Sequence, residues 1–349
     1  MDVREFDFEL PPELIAQEPP RQRGGSRLLH LDRATGAIQH TNVTALPDLL
    51  RAGDLVVVND TRVFPARLLG RRVPSGGAVE CLLVARIAAD DDVWEALMHP
   101  GQKLKPGARV VFEGVHTIHG EILEQRFFGR RIVRLWTEDG STIDEAVDAI
   151  GHIPLPPYIK RDDAPADRDR YQTVFAQARG SIAAPTAGLH FTPAILDALR
   201  AGGIAMTTIT LHVGYGTFQP VRVERVEDHR VEPERYEISA AAAAAISGAR
   251  ADGGRIVAVG TTTTRTLEHL ARAGDGVIAP GRGVTDLFIY PGFEFRIVDA
   301  LLTNFHLPKS SLLMLVAAFA GLDRVRSAYD AAVAAGYRFY SYGDAMLIT

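Results

Sequence analysis

Between residues 66 and 137, six short strand-like runs follow one another with little but turn residues between them. No other feature constrains the fold as much. The runs span 66–73, 78–87, 93–98, 108–112, 116–124 and 130–137. Gly, Pro and Asp punctuate the gaps at 74–77, 90–92, 100–107, 114 and 129. Strands of this length and spacing predict a small all-β barrel or sandwich. Thr142 and Glu145 stand at capping-box spacing, so a helix is expected to close the unit.

The flanks have another rhythm. Arg27–Leu31 and 37–40 frame a turn at 32–36, which predicts a hairpin. Thr44 is placed to cap a short helix ending at Gly53, and the apolar run 54–58 reads as a strand that ends at Asn59-Asp60-Thr61-Arg62. Past the proline-rich linker 154–157 and the charged segment 160–170, strands are expected at 205–213 and 255–260. Helices are expected at 239–250, 261–273, 310–320 and 322–335, then strands within 337–348 around Tyr342-Gly343-Asp344. The expected architecture is an α/β main domain, a mixed sheet with helices formed by 1–62 plus 154–349, carrying an inserted small closed β-barrel domain at 63–153. A chain of 349 residues is long enough for two such cores.

Composition removes several function classes. The single cysteine, Cys81, excludes an internal disulfide and cysteine-cluster metal sites. The N-terminus is acidic and lacks a signal core, and the longest apolar stretch, 312–320, is too short to span a bilayer. A cytoplasmic protein with no membrane association is therefore expected. A net charge of −5 does not advertise nucleic-acid binding, although only a local basic face is needed for it.

The segment 180–191, Gly-Ser-Ile-Ala-Ala-Pro-Thr-Ala-Gly-Leu-His-Phe, mixes small residues with a proline, a hydroxyl and an imidazole. It reads as a rigid loop, outside regular strand or helix, that displays Thr186 and His190 and feeds a helix capped by Thr192 with Pro193 at its first position. His212 is expected at the carboxyl end of a strand, where open α/β sheets place ligands, followed by a glycine-rich turn holding Gly214 and Gly216. Asp228-His229 is an acid–imidazole pair, and Asn304 and His306 form a polar island. Gly260-Thr261-Thr262-Thr263-Thr264-Arg265 joins a strand to a helix, where hydroxyl and N–H groups could hold a carboxylate or phosphate. His190, His212, His229 and His306 match no compact metal spacing, so acid–base work is the stronger reading and no metal is expected. Gly-x-Ser-x-Gly, P-loop and Cys–His signatures are missing from the sequence.

Long segments of the chain resemble the S-adenosylmethionine:tRNA ribosyltransferase-isomerase family of queuosine biosynthesis. They are 6–19, 53–70 (Gly-Asp-Leu-Val-Val-Val-Asn-Asp-Thr-Arg-Val-Phe-Pro-Ala-Arg-Leu-Leu-Gly), 155–161 (Leu-Pro-Pro-Tyr-Ile-Lys-Arg), 170–191, 210–220, 257–268, 285–308 and 337–348. The resemblance implies an α/β domain with an inserted barrel. It also implies a tRNA substrate carrying 7-aminomethyl-7-deazaguanine at the wobble position. S-adenosylmethionine would be consumed as a ribosyl donor, the products being epoxyqueuosine-tRNA, adenine and methionine. No permanently bound cofactor is implied. The sulfonium acidifies the C5′ protons, adenine leaves more readily when protonated, and the amine must be neutral to attack. Such chemistry needs groups that titrate near neutrality in a water-poor cleft.

His190, His212, Asp228 and His229 are the catalytic candidates. Asn59, Asp60, Thr61, Arg62, Arg161, Tyr171, Gln172, Thr186, Gly188, Gly214, Gly216, Thr217, Thr261, Thr262, Arg265, Asn304 and His306 are the binding candidates. Arg265 is expected to pair with the cosubstrate carboxylate. An RNA path between barrel and sheet lined by Arg62, Lys103, Lys105, Arg161 and Arg170 is expected, on a monomer. One departure stands out: the family usually carries Met-His two residues after the histidine aligned with His229, and here Val231-Glu232 occupies that place, followed by Pro233. The alternatives are a methyltransferase acting on RNA with the same cosubstrate, which would release S-adenosylhomocysteine, and a non-catalytic RNA-binding protein, whose binding would ignore S-adenosylmethionine.

Overall fold

The structure is a computed structural model that describes residues 1–88, 92–214, 216 and 220–349. The chain opens with β1 (Arg27–Leu31) and β2 (Ile38–Asn42), an antiparallel hairpin as expected. Thr44 caps nothing: a 3-10 turn, Val43–Ala45, runs into a single helical turn, α1 (Leu46–Leu49), because Pro47 sits at its start and Leu50 turns extended. All five residues of β3 (Leu55–Asn59) are buried. Leu55 and Val57 face one apolar cluster, and Val56 and Val58 face another. Such two-sided burial is the signature of a central parallel strand.

After the short β4 (Thr61–Val63), the six runs become β5 (Arg67–Val73), β6 (Ala78–Ala88), β7 (Val93–His99), β8 (Arg109–Phe112), β9 (Ile118–Gln125) and β10 (Arg130–Trp136). They close as an antiparallel barrel in the order β10-β7-β6-β5-β8-β9 around Leu68, Cys81, Leu83, Ala96, Val110, Ile118 and Val133. The Thr142–Glu145 capping box starts α2 (Ile143–Ile150) as expected, and Ile143, Ala146 and Val147 of α2 join the barrel core.

Next come α3 (Asp167–Arg170), β11 (Ala178–Ser181), α4 (Pro193–Ala201), β12 (Ala205–Leu211) and β13 (Glu234–Ile238). They are followed by α5 (Ala240–Ala251), β14 (Ile256–Val259), α6 (Thr261–Ala273), β15 (Gly281–Thr285) and β16 (Ala300–Asn304). The chain ends with α7 (Ser311–Ala320), α8 (Leu322–Ala334) and β17 (Ala345–Ile348). Two expectations need correction. Gly180 and Ser181 belong to β11, which pairs with β4, and Thr186–His190 is a 3-10 turn, so the segment is less irregular than its composition suggests. In 337–348 only Ala345–Ile348 is a named strand, because Tyr340 takes a φ of 75° and breaks the preceding extension.

The main sheet runs β15-β13-β12-β3-β14-β16-β17-β1-β2. Its centre, β12-β3-β14-β16, is parallel throughout. Helices α5, α6, α7 and α8 cover one face, and α1 and α4 cover the other. Four parallel strands therefore end together at one rim: Asn59, Leu211, Val259 and Asn304. That rim is where a sheet of this kind offers a crevice.

Candidate active site

The polar turns singled out in the sequence meet at this rim. Asn59, fully buried, ties β3 to β12: its Nδ2 donates to the Leu211 carbonyl at 2.9 Å and its Oδ1 accepts from the Leu211 N–H at 3.0 Å. Asp60 accepts from the Thr210 hydroxyl at 2.6 Å. Thr61 Oγ1 lies 2.9 Å from His212 Nδ1 and 3.4 Å from the Ala178 carbonyl. Gly180, with φ +151°, leaves room for this imidazole, because a Cβ there would stand 2.8 Å from His212 Cε1. Burial lowers the His212 pKa below its ordinary value, the Arg235 charge pushes the same way, and Asp60 and Glu237 oppose.

His212 stands where two cavities join between barrel and sheet. The first, of about 500 Å³, is lined by Val213, Gly214, Gly216, Glu234, Arg265 and Phe288 from the main domain and by Glu95 and Arg130 from the barrel. The second, of about 620 Å³, is an open trough holding Phe64, Trp94 and Tyr236 together with Arg86, Arg179, Arg235 and Arg282. Arg86 lies 4.6 Å over the Trp94 ring and Arg179 4.8 Å over Phe64. Both cavities are of the size and mixed polarity of small-molecule sites.

Arg265 and Glu234 form a buried pair inside the first cavity. The Arg265 Nη1 donates to Glu234 Oε2 at 2.6 Å and its Nε to the Leu287 carbonyl at 2.8 Å. Its Nη2 is buried with no partner among the described residues. Glu234 Oε1 accepts the Gly214 N–H at 3.0 Å. Arg130 pairs with Glu95 within the barrel at 2.9 Å and reaches across to Glu232, closing one side of the cleft. Glu232, of the Val231-Glu232 pair singled out in the sequence, is thus engaged by the barrel.

A third, smaller cavity of about 60 Å³ opens beside the first and shares Val213 and Leu312 with it. Thr186, Thr261, Thr262, Asn304 and His306 line it with Tyr158, Tyr340 and Ser341. His306 Nε2 lies 2.9 Å from Thr303 Oγ1, and burial pushes its pKa down to about 3. His190 lies 3.3 Å from Asn304 Nδ2, and burial pushes it down to about 4, with Asp344 opposing and Arg338 adding.

Other candidates lie apart. Arg161 pairs with Asp167 at 2.7 Å and lines a separate cavity with Arg67 and Asp163. Tyr171 is buried edge-on to Tyr342, and Gln172 bonds the Val63 backbone through both its amide atoms. Gly188 packs against Thr173 and Phe175. Arg62 and Asp228 are exposed. His229 is half-buried edge-on to Phe288, 4.9 Å between ring centroids, with burial lowering its pKa, so it stands behind the cleft wall. Thr217 lies outside the described residues. Lys103, Lys105 and Arg170 line neither large cavity; Arg86, Arg130, Arg179, Arg235 and Arg282 do. Among the described residues no group of three or more His, Cys, Asp or Glu is arranged to hold a metal ion.

A family described as "Queuosine biosynthesis protein" matches residues 3–348. The chain belongs to this family. Among its relatives is the S-adenosylmethionine:tRNA ribosyltransferase-isomerase of Geobacter sulfurreducens, 53% identical over 349 residues and covering 100% of both chains. Another, of the same name, is from Symbiobacterium thermophilum, 51% identical over 348 residues with 100% coverage of both. The crystal structure of an S-adenosylmethionine tRNA ribosyltransferase from Thermotoga maritima, 39% identical, matches with a TM-score of 0.55, covering 99% of this chain and 100% of that one.

Several residues of the cleft escaped the sequence reading. Glu234 and Arg235 follow Pro233 with no motif around them, and Gly180 reads in the sequence only as the first residue of a rigid loop. Glu95 and Arg130 sit on barrel strands, where a charged residue reads as solvent-facing. Tyr340, with its positive φ, carries no local signal at all.

Proposed function

We propose that this protein transfers and isomerises the ribosyl moiety of S-adenosylmethionine onto 7-aminomethyl-7-deazaguanine at the wobble position of tRNA. It releases adenine and methionine and acts as a cytoplasmic monomer. The observation that carries this reading is the placement of His212, a half-buried imidazole held at Nδ1 by Thr61, where the first cavity meets the arginine-lined trough. The full-length relatives named for this reaction support it.

The geometry suggests a division of labour. When the Thr61 hydroxyl donates to the Ala178 carbonyl, its oxygen accepts Nδ1–H of His212, and Nε2 keeps a free lone pair. Burial keeps that imidazole neutral at pH 7, as a base requires. His212 then removes a C5′ proton made acidic by the neighbouring sulfonium. The wobble base enters through the trough, where Trp94 and Tyr236 offer ring faces and edges and the arginines offer phosphate contacts. Glu95 and Glu232, flanking Arg130, line the first cavity and are the carboxylates assigned to accept the ammonium proton of the incoming amine.

The test is nucleoside mass analysis of tRNA carrying 7-aminomethyl-7-deazaguanine after incubation with protein and S-adenosylmethionine. Gain of the epoxycyclopentanediol with free adenine is expected. Intact substrate tRNA in the presence of folded protein sinks the reading.

A further inference from the structure

The heads of α6 and α8, which start at Gly260 and Gly321, lack the side-chain cap that α4, α5 and α7 carry. Ser310 caps α7, Ser239 caps α5 and Thr192 caps α4, each by a side-chain oxygen, whereas α6 starts at Gly260 with no side-chain cap among the described residues. The first N–H groups of any helix lack intrahelical acceptors. Here they are also shut away from bulk water, since Thr261 and Thr262 are each 7% exposed and Thr263 is fully buried. The hydroxyls of Thr263, Thr264 and Thr266 donate back to the carbonyls of Val259, Gly260 and Thr262. That leaves the Thr261 and Thr262 hydroxyls, with the helix N–H groups, facing the 60 Å³ cavity.

The opposite wall supplies a second, independent signal. Asn304 is 2% exposed, and its Nδ2 donates to the Tyr340 carbonyl at 3.0 Å. A carbonyl can only accept, so this bond fixes which way the amide faces. Its Oδ1 is then a buried acceptor, and it has no hydrogen-bond partner among the described residues. Buried polar groups are rarely left unpaired, and an orphan in a native fold calls for a ligand or another explanation. One wall of the cavity thus offers donors and the other an unpartnered acceptor.

We propose that this cavity is a head-group site for an α-amino acid, taking the carboxylate on the N-terminus of α6 and the ammonium on Asn304 Oδ1. Resting on the ribosyl-transfer reading, it is the methionyl site of the cosubstrate. The volume suits a carboxylate and ammonium on one carbon. The rest of the molecule passes Val213 and Leu312, which the two cavities share, and enters the space before His212. Arg265 is then not the carboxylate partner. Its Nη1 already serves Glu234, a residue with the same charge as the ligand it was expected to bind.

Calorimetry on the full-length protein with S-adenosylmethionine, 5′-deoxy-5′-methylthioadenosine and L-methionine tests this. Methylthioadenosine has the nucleoside and sulfur but no amino-acid head. Asn304→Ala removes the acceptor. Thr261→Pro removes one N–H and one hydroxyl while keeping a residue suited to the first helical position. Both variants are expected to weaken S-adenosylmethionine about tenfold or more, as loss of a hydrogen bond to a charged group does, and to leave methylthioadenosine unchanged. If Asn304→Ala fails to fold, Thr261→Pro alone decides. Equal loss for both ligands, or no loss for either, overturns the site. So does wild-type protein that binds the two nucleosides equally well, and each of these results leaves ribosyl transfer standing. L-Methionine bound through Asn304 by a protein that leaves tRNA unmodified keeps the site and overturns the ribosyl-transfer reading.

Discussion

His212 and Gly180 show how much one side chain depends on a neighbour without any. The imidazole occupies the space a Cβ at position 180 would take, 2.8 Å from Cε1. Gly180→Ala should keep the fold by circular dichroism yet lower kcat/KM roughly 100-fold, the scale of a displacement of about 1 Å at a reacting group. Unchanged turnover would mean that the ring position does not matter. Arg235 adds to the effect of burial on the acidity of the same ring. Burial and Arg235 both lower the His212 pKa, so the acid limb of kcat/KM should lie below the ordinary value of 6.5. Arg235→Ala removes one of these causes and should move that limb upward, whatever it does to the size of kcat/KM. A limb that stays put removes His212 as the titrating group. His212 and the polar turns were legible in the sequence because histidine, glycine and threonine at a strand end are unusual company. Glu234 and Arg235 were not, because their meaning comes from what they face.

At the scale of elements, α6 illustrates both sides of that limit. Its extent was readable from its composition, but not that a strand-borne glutamate would meet it. Glu234 on β13 and Arg265 on α6 are 5% and 7% exposed. Removing one partner of such a pair leaves an uncompensated buried charge, so Arg265→Ala should cost about 3–5 kcal/mol in denaturant unfolding. Glu234→Gln combined with Arg265→Met should recover much of it; no recovery would mean that the loss is one of packing. Two buried histidines tie the elements of the rim to pH. His190 and His306 are held neutral, with pKa values pushed down to about 4 and about 3, while an unfolded chain takes up protons near 6.5. Stability is therefore complete above pH 6.5 and falls as the pH drops towards those values, because the unfolded state binds protons first. His306→Gln should flatten the thermal-melting curve between pH 6 and pH 4, roughly in proportion to the protons no longer taken up. An unchanged slope would place the acid sensitivity elsewhere.

For the whole molecule, the barrel and the sheet each have a core, and the candidate cleft lies between them. Arg130 spans that gap from Glu95 to Glu232 and is partly exposed, so Glu232→Ala should change stability by about 1 kcal/mol or less. Its effect should appear in the Michaelis constant for tRNA. The arginines of the trough predict steep salt dependence of tRNA binding. Arg179→Ala should lower the slope of log K against log salt by about 1 if that side chain contacts a phosphate. A slope identical to that of the parent would place the RNA elsewhere.

The sequence alone determined the parts. Turn residues spaced through 66–137 pointed to a β barrel or sandwich, apolar runs pointed to strands, and caps at Thr142 and Thr192 marked helix starts. These follow from local periodicity and backbone chemistry, which act over a few residues. Only the tertiary structure decided which strand ends share a rim, that Glu232 would reach the barrel, and that Asn304 would face an uncapped helix across a small cavity. Those contacts join residues far apart in the chain. Their energies come from burial and charge in three dimensions, which no local pattern encodes.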